Sequence, residues 1–183
     1  MATTFTHPIP VLAVTVAFGT KYISTRLTVA MLIASILPDI DMIGHVLGYS
    51  HPSPFAHRGF THSLVFALAV GLLALAAAPQ MKTKRGIAFF AIFLTTLSHY
   101  FLDALGSRYL GVPLFWPFDE TRYILPWPSF ISSWVSWSSP YRFFSSWWAD
   151  RFIRIELLAV WTPCAIFAIT GFLFRRRRAR KGI

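Results

Sequence analysis

Apolar runs separated by short polar interruptions organise this chain. Pro8 to Phe18 is apolar and ends near Lys21 and Arg26; Leu27 to Leu37 is a second apolar run, stopped by Pro38 and Asp39. Each is short against the roughly 20 residues that a membrane-spanning helix needs. Gly44 to Pro54 is rich in Gly, Pro, Ser and His and reads as a loop. Leu64 to Ala78 is an uncharged helical run closed by Pro79. Gly86 to Leu105 is the best full-length span, and Leu157 to Phe174 is another, closed by arginines. The pattern predicts an all-α fold, a polytopic membrane helical bundle of about five segments.

Residues 1–183 are expected to form a single integral membrane domain, with motif-bearing helices over 1–105, a connection over 106–150, and a last span with a basic tail over 151–183. The connection holds Trp116, Trp127, Trp134, Trp137, Trp147 and Trp148, six of the seven tryptophans. Tryptophan favours the membrane–water boundary, so this aromatic-rich stretch is expected to lie on the interface as a partial lid. Tyr141, Phe144, Trp148 and Phe152 are spaced for one face of a helix leading into the last span.

Composition agrees with a membrane protein: 55% of residues are hydrophobic and 13% charged, against about 25% charged in a soluble domain. A net charge of +10 raises nucleic acid as a partner. The placement of the charge argues for membrane lipids and no nucleic acid. Eleven of the 17 basic residues fall in three places: Lys21 and Arg26, then Lys82, Lys84 and Arg85, then Arg175 to Arg178 with Arg180 and Lys181. These are junctions between or after apolar runs, as in the cytoplasmic flanks of membrane helices, and the last cluster suits anionic headgroups. With all three inside, the C-terminus is cytoplasmic and five segments start from an outer N-terminus. The lone Cys164 permits no internal disulfide, and no basic n-region precedes the first apolar run, so a cleaved signal peptide is not expected.

That orientation, chosen from charge alone, puts every candidate ligand on the outer face. His7 opens segment one, Asp39 and Asp41 end segment two, His57 and His62 precede segment three, and His99 and Asp103 end segment four. His99 and Asp103 are four apart, one helical turn on one face. They can hold one metal together or form a hydrogen-bonded pair that stabilises a bundle. Asp39 and Asp41 follow a helix-breaking proline; on an extended segment both carboxylates would face the same way. One can then ligate while the other orients a histidine or acts as general base, and charges at a helix end also serve solubility. His57-Arg58-Gly59-Phe60-Thr61-His62-Ser63 places two histidines and an arginine in seven residues. Thr61 or Ser63 can cap the next helix, and Arg58 can grip a phosphate or pair with Asp39 or Asp41. His45 and His51 read as loop residues, with His45 a reserve ligand. Imidazole and carboxylate donors suit a divalent metal ion, zinc first and manganese or iron as alternatives. Such an ion would acidify water for hydrolysis.

Leu37-Pro38-Asp39-Ile40-Asp41, the His57–Ser63 segment, Leu97-Ser98-His99 with Asp103, and Gly111-Val112-Pro113-Leu114-Phe115-Trp116-Pro117 together resemble the YdjM-like inner-membrane proteins, described as membrane-bound metal-dependent hydrolases and linked in some bacteria to LexA control. The resemblance runs from His7 to about Pro117. It implies a bacterial or archaeal cytoplasmic (inner) membrane location and a metal-dependent hydrolase site at His7, Asp39, Asp41, His57, His62, His99 and Asp103. The early histidine, the Pro-Asp-Ile and the later His-x-x-x-Asp are more distantly similar to bacterial zinc-dependent phospholipase C proteins. The resulting expectation is a hydrolase with metal ligands His7, Asp39, His57, His62, His99 and Asp103, and with Asp41 and Arg58 in catalysis, acting on a phosphoester or other ester, a lipid included. A non-enzymatic protein whose cluster binds metal for structure, sensing or transport is the alternative.

Overall fold

The computed structural model describes residues 4–105, 111–124 and 156–181. The described residues contain five helices of ten residues or more: α1 (Ile9–Phe18), α2 (Thr25–Ile36), α4 (Leu64–Ala77), α5 (Arg85–Leu105) and α6 (Thr162–Arg180), with a short α3 (Met42–Val46) after α2. The expected all-helical architecture is present, and strands are absent among the described residues apart from an isolated antiparallel bridge between Val112 and Tyr123. Most of the 106–150 connection lies outside the described residues, as does the proposed Tyr141 to Phe152 face, so Trp116 is its one described tryptophan.

Among the described residues, three helices are long and apolar enough to cross a membrane: Thr25–Gly44, Arg85–Ala104 and Leu157–Arg180. The helices Ile9–Phe18 and Leu64–Ala77 are shorter. The second run thus continues beyond Pro38, where the sequence pattern stops it. Leu37–Asp41 forms a 3₁₀ helix that passes directly into α3, with the proline in its first turn. The proline cannot donate to the carbonyls of α2's last turn, and the ladder changes to 3₁₀ at this point. This corrects the extended reading of the backbone: Asp39 and Asp41 sit on a 3₁₀ helix, yet each presents a carboxylate oxygen within 4.8 Å of the other and of His57.

Polar caps set the helix starts. Ser24 accepts from Leu27 N–H at the head of α2, and Ser63 accepts from Phe66 N–H at the head of α4. Between the helices, α5 packs against both α4 and α2, while α6 lies along α1. The core is built from Val11, Leu27, Met31, Ala34, Ala74, Ala78, Met81, Ala88 and Ile92. Small residues let helices approach, as expected where burial of apolar surface gives little drive between membrane helices. A Cβ on Gly171 would lie 2.5 Å from the Ala17 side chain, so only glycine permits the α1–α6 contact.

The basic junctions share one end of the bundle. Arg26 donates to the Gln80 carbonyl at 3.1 Å, Ser24 donates to the Met81 carbonyl, and Arg175 reaches the Val16 carbonyl at 3.3 Å. The His/Asp motifs gather at the opposite helix ends.

Candidate metal centre

Four helix ends deliver the cluster. His7 lies in the turn before α1, Asp39 and Asp41 on the 3₁₀ helix after α2, His57 to His62 just before α4, and His99 and Asp103 in the last turns of α5. Asp39, His62, His99 and Asp103 each present a donor atom within 4.8 Å of the others, a grouping that can hold a metal ion. Asp103 is central. One oxygen lies 3.4 Å from His62 Nε2 and 3.8 Å from His99 Nε2, while the other lies 3.7 Å from His7 Nε2. His99 Nε2 also approaches Asp39 Oδ1 at 3.4 Å. Donors about 2.0–2.1 Å from a tetrahedral zinc are separated by roughly 3.3 Å, so these spacings fit one shared ion.

Hydrogen bonding points the same way. His62 Nε2, His99 Nε2, both His7 nitrogens and all four carboxylate oxygens of Asp39 and Asp103 are buried without a hydrogen-bond partner in the structure. Buried polar atoms left unpaired each cost about 1–3 kcal/mol, more for charges. So many converging on one point, nearly all with lone pairs, is the pattern of a cation's ligand set. The other ring nitrogens are occupied. His99 Nδ1–H donates to the Ser35 carbonyl at 2.8 Å, fixing a tautomer whose Nε2 is free to ligate. His62 Nδ1 lies 3.0 Å from Asp41 Oδ2, a carboxylate–histidine arrangement that typically supports metal ligands.

Asp41 works as a hub. It accepts from His57 Nδ1–H at 2.8 Å, from Arg58 N–H at 2.8 Å and from Thr61 Oγ1 at 2.7 Å, in addition to facing His62. His57, 18% exposed, therefore belongs to the Asp41 side of the site, where Asp39, Asp41 and His57 form a second grouping. Arg58 is buried at positive φ, 62°. Its Nε lies 3.4 Å from Asp103 Oδ2, so it faces Asp103 rather than pairing with the Asp39 or Asp41 side chains. Nε and Nη1 have no hydrogen-bond acceptor. His7 is fully buried and stacks on His99 with ring centroids 3.8 Å apart.

Two site histidines that lie outside the spans, His7 and His62, are tuned in opposite directions. Burial, then the neighbouring His99, brings the His7 pKa down to about 3. For His62, burial works against charge, but the contacts with Asp103 and Asp41 outweigh it and raise the pKa to about 9. Without a metal, His62 therefore stands as the imidazolium, its Nδ1–H toward Asp41 and its Nε2–H toward Asp103.

Several supporting contacts join parts of the chain that no spacing pattern links. Tyr100 donates to the Thr61 carbonyl at 2.9 Å, and Thr61 serves Asp41 rather than capping α4, a task that falls to Ser63. The 111–124 loop is closed by the Val112–Tyr123 bridge. It accepts Leu64 N–H at the Leu114 carbonyl, donates from Arg122 to the Arg58 carbonyl at 3.1 Å, and rests Trp116 on Phe60. Buried Glu156 accepts a hydrogen bond from Thr6, which also takes the Trp161 indole N–H at 3.0 Å. This links the last helix to the turn bearing His7. A threonine or tyrosine in an apolar context leaves no spacing pattern that would reveal such roles.

Fold and site together define a polytopic helical membrane protein with a buried His/Asp cluster at one end. The chain belongs to the YdjM inner membrane protein family, whose profile matches residues 1–177, in agreement with the motif resemblance. It is 34% identical to the inner membrane protein YbcI of Escherichia coli (strain K12) over 186 aligned residues, which cover 97% of this chain and 100% of that protein. No solved structure matches.

Proposed function

We propose that this protein is a metal-dependent hydrolase of the cytoplasmic membrane, acting on a phosphoester or other ester at the outer headgroup level, with its C-terminus cytoplasmic. The observation that carries this reading is the set of buried, unpartnered donor atoms converging around Asp103. Asp39, His62, His99 and Asp103 would hold the divalent ion, with His7 against it; zinc fits these donors best, and manganese or iron also fit. A bound ion supplies Lewis acidity, polarising an ester oxygen and acidifying water. The protein's own groups do the rest. Arg58 offers Nε and Nη1 to the anionic oxygens of a phosphoester. Asp41 holds His57 and His62 in orientation, and His57, the partly exposed member of that pair, exchanges a proton with water as the ester is cleaved.

A second reading, a metal site for structure, sensing or transport, draws on one observation: four protein donors lie within 4.8 Å of one another, enough to fill a four-coordinate ion, and closed sites are structural. The deciding experiment is metal content by mass spectrometry on detergent-purified protein, beside His62→Ala and Asp103→Ala, with phosphoester hydrolysis measured on the same samples. The hydrolase reading expects about one or two ions per chain, lost in both variants together with turnover. Bound metal without turnover on soluble or lipid phosphoesters would favour the second reading. No metal after adding back zinc and manganese would reject both.

A further inference from the structure

A groove of about 540 Å³ runs along the outer side of the α2–α3 segment. Its walls include Ile33, Ile36, Leu37, Ile40 and Met42, and Asp39 is the ionisable residue on its lining. The volume is that of a small-molecule site. Ile33, Ile36 and Ile40 follow helical spacing and are 56%, 41% and 51% exposed. They lie in the Thr25–Gly44 segment that is long and apolar enough to span, so in a bilayer this face meets acyl chains. Asp39 joins the groove to the cluster. Its side chain is 12% exposed, whereas those of His62, His99 and Asp103 are sealed. Asp39 is the residue shared by the groove lining and the group of four clustered donors, its carboxylate oxygens turned inward and buried.

We propose that the groove seats one acyl chain of a membrane phospholipid entering sideways from the bilayer, with its phosphate at the Asp39 end. The inference rests on the metal reading above and adds the substrate class. Apolar walls match the chain by shape and packing, since an acyl chain arriving from the bilayer leaves hydrocarbon rather than water. The phosphate finds Arg58, whose Nε and Nη1 lack acceptors. An anionic head beside Asp39 and Asp103 is tolerated only when a cation offsets the two carboxylates. Occupancy of the groove should therefore depend on the metal, which annular lipid would not.

The test uses the full chain in phosphatidylglycerol nanodiscs doped with a phosphatidylglycerol bearing a photoactivatable acyl chain. Crosslinked peptides are mapped with zinc present or chelated. The expected result is labelling concentrated on the 33–42 stretch, falling about tenfold on chelation and likewise in Ile36→Trp, which fills the groove. Leu72→Trp, at an exposed position on α4, should leave labelling unchanged. Free inorganic phosphate should not compete at concentrations where unlabelled phosphatidylglycerol does; equal competition would make the site one for free phosphate and overturn the lipid assignment. Normal zinc content with labelling spread evenly over all lipid-facing helices overturns the groove alone. Absent zinc with groove labelling that Ile36→Trp still removes would sink the metal reading and, with it, the phosphate seat at Asp39, leaving the groove lined by annular lipid.

Discussion

Asp41 Oδ2 faces His62 Nδ1 at 3.0 Å, and this contact turns His62 Nε2 toward Asp103 at 3.4 Å. The same carboxylate takes hydrogen bonds from His57, the Arg58 backbone and Thr61. One residue thereby sets the posture of the whole His57–His62 segment without lying in the Asp39–His62–His99–Asp103 grouping. Asp41→Asn preserves its shape but puts a donor where four donors converge. We expect zinc affinity to fall 10–100-fold, read by competition with a chromophoric chelator. Unchanged affinity would reduce Asp41 to a loop support.

Zinc uptake should expel a proton from His62. Its pKa is raised from 6.5 to about 9 in the metal-free fold, and ligation through Nε2 requires the neutral ring. Between those values, zinc binding should release about one proton from this residue and tighten by roughly tenfold per pH unit. Calorimetry in buffers of different ionisation enthalpy measures the release. The stability sign follows from the same shift. A raised folded pKa gives stability that is fully present below pH 6.5 and lost as pH rises through about 9. The metal-free protein should weaken across that window while the loaded protein does not. A flat profile for both would mean that His62 is not the protonated group.

Much of this site was legible in the sequence because charged and imidazole side chains are expensive in an apolar chain, so each one stands out. The positions flagged on that ground, His7, Asp39, Asp41, His57, His62, His99 and Asp103, do come together. The shape of the Pro38 region was not legible. A proline signals a helix break, but whether the chain then extends or tightens depends on what packs beyond it. Here a 3₁₀ turn separates Asp39, facing His99, from Asp41, facing His57 and His62. The Arg58 contact with Asp103 was equally hidden, since it joins residues 45 positions apart whose encounter is set by helix packing.

The loop that bears both histidines should fail on the smallest enlargement. A Cβ on Gly59 would sit 1.9 Å from the Pro54 carbonyl oxygen and 2.7 Å from that of Ala56, both backbone atoms that cannot rotate away. Phe60 N–H also donates to the Pro54 carbonyl at 2.8 Å, so any shift breaks the bond that folds the segment back. Gly59→Ala is expected to strip most of the metal. Gly86→Ala, where nothing lies within 4 Å of the new methyl, is the matched control and should bind zinc normally. Full zinc content in Gly59→Ala would show that this cradle is more plastic than its contacts indicate.

The contact between α1 and α6 offers a way to separate the bundle from the site. Gly171→Val would drive side-chain atoms into Ala17, whose Cα lies 2.9 Å from the added Cβ. Overpacking of this kind costs about 1–3 kcal/mol, and thermal unfolding in detergent should move down accordingly. The four clustered donors come from the 3₁₀ helix after α2, the segment before α4 and the end of α5. Among the described residues, the last helix reaches the site through Glu156 and Trp161, which hold Thr6 beside His7. Zinc stoichiometry in the folded fraction should accordingly stay near the parent value. If the ion is lost along with stability, His7 and the turn that carries it are required for binding. The stack of His7 on His99 would then be as necessary to the centre as the four donors around Asp103.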